Sequence, residues 1–199
     1  QYSCEALKKI YPNAHLFFLY RDIDKTARSF FKMTFAYAVF RIGMLVLRIS
    51  TKPYKFLSQK MCHVKAATSQ SRMKDDYSSS VMACLMMYEI FRQIRDSGVD
   101  ISGLCYDDII AGKKQSVESL FKICGVSEAL VESAMRAFDR DSQRGCVLDK
   151  DKLATYPTLR VTEEDVERAN GILSEFGYPP VGEPFRLEGT IPLNEPSCK

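Results

Sequence analysis

The run His15–Tyr20 (HLFFLY) is short, continuous and aromatic, and it is fenced on both sides. Tyr11-Pro12-Asn13-Ala14 supplies a turn before it, and Arg21-Asp22 breaks it off after six residues. An apolar run of that length, with no polar alternation, reads as a strand buried on both faces of a parallel sheet. A second such segment, Asp100–Tyr106 (DISGLCY), is followed at once by Asp107-Asp108. Helical periodicity fills the space between the two. Asp22 or Asp24 can cap a helix that begins near Lys25 and runs to about residue 49, with a break near Gly43. Asp75–Arg95 repeats apolar residues at Val81, Leu85, Tyr88 and Ile94, and Asp96-Ser97-Gly98 ends it. Strands separated by helices imply a parallel sheet in an α/β layered fold. Two strands are few for such a sheet. With Gln1 in first place, the chain reads as the C-terminal portion of a domain whose earlier sheet is missing.

The remaining elements are helical. Residues 3–10 share an apolar face at Ala6, Leu7 and Ile10, and Ser116–Cys124 is a helix with Ser116 in the capping position. Residues 127–138 and 162–176 follow as two more helices, the last with a capping box from Thr162 to Asp165. Residues 50–76 show no period. The tail, 177–199, carries Pro179, Pro180, Pro184, Pro192 and Pro196 and is expected to be extended. His15, inside the first strand, is expected to be packed. With 199 residues and 46% hydrophobic content, the whole reads as one domain.

Composition narrows function by exclusion. A net charge of +3 is too small for a typical nucleic-acid-binding domain, though it tolerates an anionic ligand. Seven cysteines stand widely spaced with no C-x-x-C pair and only two histidines, which argues against a metal site and for buried free thiols, with a disulfide or two in the secretory pathway as the alternative. No N-x-[ST] acceptor occurs, which favours the cytoplasm. The longest apolar stretch, Met33–Leu47, is interrupted by Arg41 and falls short of the ~20 residues that span a bilayer. The aromatic and methionine-rich stretch Phe30–Leu47 reads as core, or alternatively as the lining of an apolar acceptor pocket. Phe138–Leu153 imitates a calcium loop at Asp139, Asp141 and Gln143. The imitation fails where Arg144 replaces the obligatory glycine and Lys150 the bidentate glutamate.

One place suits an anion. Arg21 stands at the carboxyl end of the first strand, where open α/β sheets bind ligands. Its guanidinium can fork onto two phosphate oxygens, Ser29 lies eight residues on in the next helix, and that helix's N-terminus adds partial positive charge. A surface ion pair with a neighbouring carboxylate is the plain alternative for Arg21.

The segment from Ala14 to Met33 (AHLFFLYRDIDKTARSFFKM) resembles the 3′-phosphate-binding segment of sulfotransferases that use 3′-phosphoadenylyl sulfate. In that family an apolar strand ends in arginine, and a serine follows eight positions later within a helix. Leu104–Ile110 (LCYDDII) with Val117–Gly125 is similar to the family's Tyr-Glu-Asp-Leu block and its following helix. The resemblance implies a three-layer P-loop-like fold and assigns Arg21 and Ser29 to the 3′-phosphate and Tyr106 to the adenine ring. It implies sulfuryl transfer from that co-substrate to a hydroxyl or amine on a small molecule or carbohydrate, with no metal. The family's phosphosulfate loop and catalytic base have no counterpart here, so no catalytic residue is assigned. Gly112-Lys113-Lys114 does not replace the loop, and Arg144-Gly145 only faintly echoes the family's late Arg-x-Gly element. A Golgi-lumen location is the alternative if an upstream segment carries an anchor. A catalytically inactive, sulfotransferase-like interaction protein is the alternative function.

Overall fold

A computed structural model describes residues 2–36, 75–140 and 149–193, together with Ile42 and Arg144. The chain order is α1 (Tyr2–Ile10), β1 (Leu16–Tyr20), α2 (Ile23–Ala36), α3 (Asp76–Asp96), β2 (Ile101–Cys105), α4 (Tyr106–Ala111) and α5 (Lys113–Cys124). It continues with α6 (Val131–Met135), α7 (Lys150–Ala154) and α8 (Glu163–Glu175), with short 3-10 turns on either side of α6. The result is a helix-rich α/β arrangement around two parallel strands, paired from Leu16↔Ile101 to Tyr20↔Cys105. The segment 37–74 lies outside the described residues apart from Ile42. So do most of Met33–Leu47, the aperiodic stretch 50–74, and the charged turn carrying Asp141 and Gln143.

The first strand differs from its expectation in degree of burial. Only Tyr20 is fully buried, and Leu19 is 56% exposed. Among the described residues β1 pairs on one edge alone, so its apolar run is half covered. His15 sits one residue before the pairing begins; it is exposed and stacks on Phe17 with ring centroids 6.3 Å apart. The packed reading is therefore corrected: without a paired neighbour at the strand's start, the imidazole stays at the surface. Tyr106, read as the last strand residue, instead opens α4.

The core is built on α3. Asp75 caps it by accepting from the Ser78 backbone N–H at 2.6 Å. Three successive serines follow in full burial because each finds an internal acceptor. Ser78 donates to the Asp75 carboxylate, Ser79 to the Asp75 carbonyl and Ser80 to the Asp76 carbonyl. Beyond them Val81, Leu85, Tyr88 and Ile94 are buried as their spacing requires, but so are Tyr77, Met82, Cys84 and Phe91. The helix is thus enclosed on several sides, by α2, by α8 and by the sheet. Arg168 of α8 ties the junction, binding Asp75 at 2.8 Å and also Asp165 and Glu164.

Rings join the sheet to this helix. Phe18 stacks on Phe91 with centroids 4.8 Å apart, and Tyr88 packs against Phe18, Tyr20, Tyr178 and Phe185. Two of those partners come from the tail. Its described part, to Leu193, turns back onto the domain, with Leu187 and Leu193 buried. It also adds a single parallel bridge from Thr190 to Gly103. Gly103 permits this approach, since a Cβ there would meet Thr190 Oγ1 at 2.8 Å.

Elsewhere the helices depart from expectation in detail. α5 begins at Lys113, three residues before Ser116; Ser116 is fully buried inside it and does not cap it. The expected helix 127–138 is broken into a 3-10 turn, a single α turn and another 3-10 turn. α8 starts as read, with the full capping box between Thr162 and Asp165. Among the described cysteines, Cys84 and Cys105 are buried free thiols, Cys4 is half-buried and Cys124 is exposed. Burial pushes the Cys84 thiol up to about 12, which makes it unreactive at neutral pH.

Candidate functional site

The two strands run parallel and end in register, so whatever follows Tyr20 lies beside whatever follows Cys105. That rule brings Arg21 to Tyr106 and Asp107. The Arg21 guanidinium lies over the Tyr106 ring, 5.2 Å from its centroid, and its Nε is 3.4 Å from Asp107 Oδ1. Its backbone is held as well, because the Tyr88 hydroxyl donates to the Arg21 carbonyl. Asp22 is the residue that caps α2, accepting from the Lys25 N–H at 3.0 Å. Asp24 does other work: it accepts from the Tyr77 hydroxyl at 2.6 Å and pairs with Arg28.

Two cavities meet at this point. The smaller, about 420 Å³, is mostly apolar and is lined by Phe18, Phe30, Met87 and Tyr88 together with Arg21, Ser29 and Tyr106. All three residues expected to grip a nucleotide therefore border one groove. Ser29 is exposed and Tyr106 is 37% exposed, so the groove is open to solvent at their side. The larger, about 640 Å³, lies at the carboxyl ends of both strands and against the tail. It carries Asp22, Asp24, Asp107, Asp108 and Glu183 against only Lys25 and Arg186. Carboxylates outnumber cations there, which disfavours an anion away from the edge where Lys25 approaches Arg21; Arg186 offsets Asp108 at 2.8 Å.

Asp107 and Lys25 are the residues that motif reading passed over. Lys25 Nζ is 3.2 Å from the same Asp107 oxygen that Arg21 approaches. A signal existed: acidic residues directly beyond β2 must face the basic residues directly beyond β1 once the strands are taken as parallel and of equal length. Burial raises the Asp107 carboxyl, but Lys25 and Arg21 outweigh it and hold the group below the usual carboxylate range. Asp165 behaves alike: the Thr162 hydrogen bonds and Arg168 overcome the effect of burial.

These two depressed carboxyls set an acid limit. The unfolded chain takes up their protons near pH 4, whereas the folded chain resists until lower pH. Their contribution is complete above about pH 4 and is lost as pH falls through the folded values. The urea midpoint is expected to be level down to about pH 5, then to fall towards pH 3, with a weaker fall in Asp165→Asn. A midpoint that stays level to pH 3 would contradict the assignment.

Among the described residues no cluster of three or more carboxylate, thiol or imidazole groups could hold a metal ion. No helix among them is long and apolar enough to cross a membrane. No family model matches the chain, and no curated protein or solved structure is significantly similar to it.

Proposed function

We propose that this chain carries the nucleotide-holding side of a 3′-phosphoadenylyl sulfate site and belongs to a sulfotransferase with a P-loop-like fold. The observation that carries the reading is the shared groove: Arg21, Ser29 and Tyr106 come from separate elements and border one cavity at the end of β1. Arg21 and Ser29 would bind the 3′-phosphate, and Tyr106 would flank the adenine with the ring face that Arg21 leaves open. Their contribution is register: they hold the donor so that its sulfur faces the acceptor in line. In the transfer itself, the acceptor oxygen or nitrogen bonds to sulfur as the bond from sulfur to the phosphate oxygen breaks. The acceptor's proton passes to a general base, a role assigned to no residue of this chain. The acceptor class is a small molecule or carbohydrate.

Calorimetry tests the reading through the ligand. 3′-Phosphoadenosine 5′-phosphate is expected to bind at least about tenfold more tightly than adenosine 5′-phosphate, since a hydrogen bond to a charged group contributes about 1.5–3 kcal/mol. Equal affinities would remove the 3′-phosphate site. One observation favours the alternative of an inactive interaction protein: Arg21 already has a carboxylate partner in Asp107. On that reading neither nucleotide binds.

A further inference from the structure

Two cations converge on one oxygen in the wall between the cavities. Arg21 Nε and Lys25 Nζ stand 3.4 and 3.2 Å from Asp107 Oδ1. The three side chains are 41%, 51% and 34% exposed, so a dissolved anion can reach them. To a guanidinium and an ammonium, a carboxylate and a phosphate present the same thing: oxygens sharing negative charge. Asp107 thus stands where a phosphate oxygen would stand.

Its position is dictated by the frame. Asp107 lies two residues beyond β2, whose register with β1 places it beside Arg21. Tyr88 anchors the Arg21 backbone from below, and Asp22 anchors the first turn of α2 that carries Lys25. The Asp107 carboxylate also accepts a hydrogen bond from the Asp22 backbone, so rotation of its side chain away from both cations gives up that bond as well.

We propose that Arg21 and Lys25 form a two-cation phosphate grip that Asp107 fills when no ligand is bound, which makes Lys25 a phosphate ligand and Asp107 an internal competitor. The proposal rests on the donor-site reading above and adds a selection rule to it. Because its neighbours keep Asp107 ionised, an incoming anion must displace a charge and not a neutral acid. A singly charged carboxylate ligand gains nothing by that exchange. A phosphate dianion, with more charge and three oxygens, does gain. The internal carboxylate therefore biases the site towards phosphate esters.

The test is calorimetry with 3′-phosphoadenosine 5′-phosphate on the full chain, comparing the parent with Asp107→Asn, Lys25→Met and the double variant. Asp107→Asn is expected to bind about three- to tenfold more tightly, the effect of releasing two partly exposed ion pairs. Lys25→Met is expected to bind more weakly by a similar factor, and the gain from Asp107→Asn should shrink in the double variant. Lys25 is exposed, so its variant reports on the grip independently of any misfolding caused at Asp107; far-UV dichroism confirms the folded state of each. If the parent binds while Asp107→Asn binds equally or more weakly, Asp107 merely positions Arg21. The competitor role is then overturned and the donor site stands. Unchanged affinity in Lys25→Met removes Lys25 from the grip. Binding by neither the parent nor Asp107→Asn overturns the grip and the donor site together.

Discussion

Phe91→Ala is expected to destabilise the fold by about 3–5 kcal/mol, the range for removing a buried phenyl ring from a packed core. Phe91 is 2% exposed and stacks on Phe18 of β1 at 4.8 Å between centroids, so with Tyr88 it joins the central helix to the sheet. The neighbours cannot easily collapse into the space. Phe18 is fixed by strand pairing, and Tyr88 is fixed by its bond to the Arg21 carbonyl and by four surrounding rings. A cavity therefore persists, and its cost adds to the lost transfer energy. Urea denaturation measures the change directly. A loss below about 1 kcal/mol would mean that helix and sheet are held together elsewhere. Phe91→Leu, which retains much of the volume, should cost clearly less.

The Arg21→Ala variant addresses the proposed ligand site. It is expected to weaken binding of 3′-phosphoadenosine 5′-phosphate by about 1.5–3 kcal/mol, or roughly ten- to 150-fold. Full loss of a buried charge pair would cost more, but the side chain is 41% exposed and water screens it. Adenosine 5′-phosphate should lose far less, because it lacks the group that Arg21 is proposed to hold. Equal losses for the two nucleotides would show that Arg21 supports the groove and does not bind the 3′-phosphate. The fold should tolerate the change: the bond from Tyr88 goes to the Arg21 carbonyl, which alanine keeps.

Much of the local structure was legible from residue order. β1 and β2 lie where the two short apolar runs stand. α3 and α8 start at Asp75 and Thr162 because an oxygen-bearing side chain there meets a free N–H three residues on. These features depend on neighbours in sequence, so the sequence displays them. The breaks within 127–138 were not legible, since 3-10 and α turns of three to five residues are too short to show a period of their own. Nor was the burial of Tyr77, Met82, Cys84 and Phe91. A helix enclosed on several sides has no single apolar stripe, and its serines disguise it further by bonding to their own backbone.

The site divides in the same way. That Arg21 and Ser29 stand eight residues apart across a strand end and a helix is a fact of the sequence, and so is the tyrosine that closes the second apolar run. That Tyr106 lies under the Arg21 guanidinium is decided by strand register. So is the convergence of Arg21 and Lys25 on Asp107, up to 86 positions away. The tail shows the same limit: five prolines mark it as non-helical, yet only packing decides that Phe185 and Leu187 return to the rings around Tyr88 and Tyr20. Hydrogen bonds between near neighbours form wherever the residues occur. Contacts across the fold exist only after the core has set the distance between the elements that carry them.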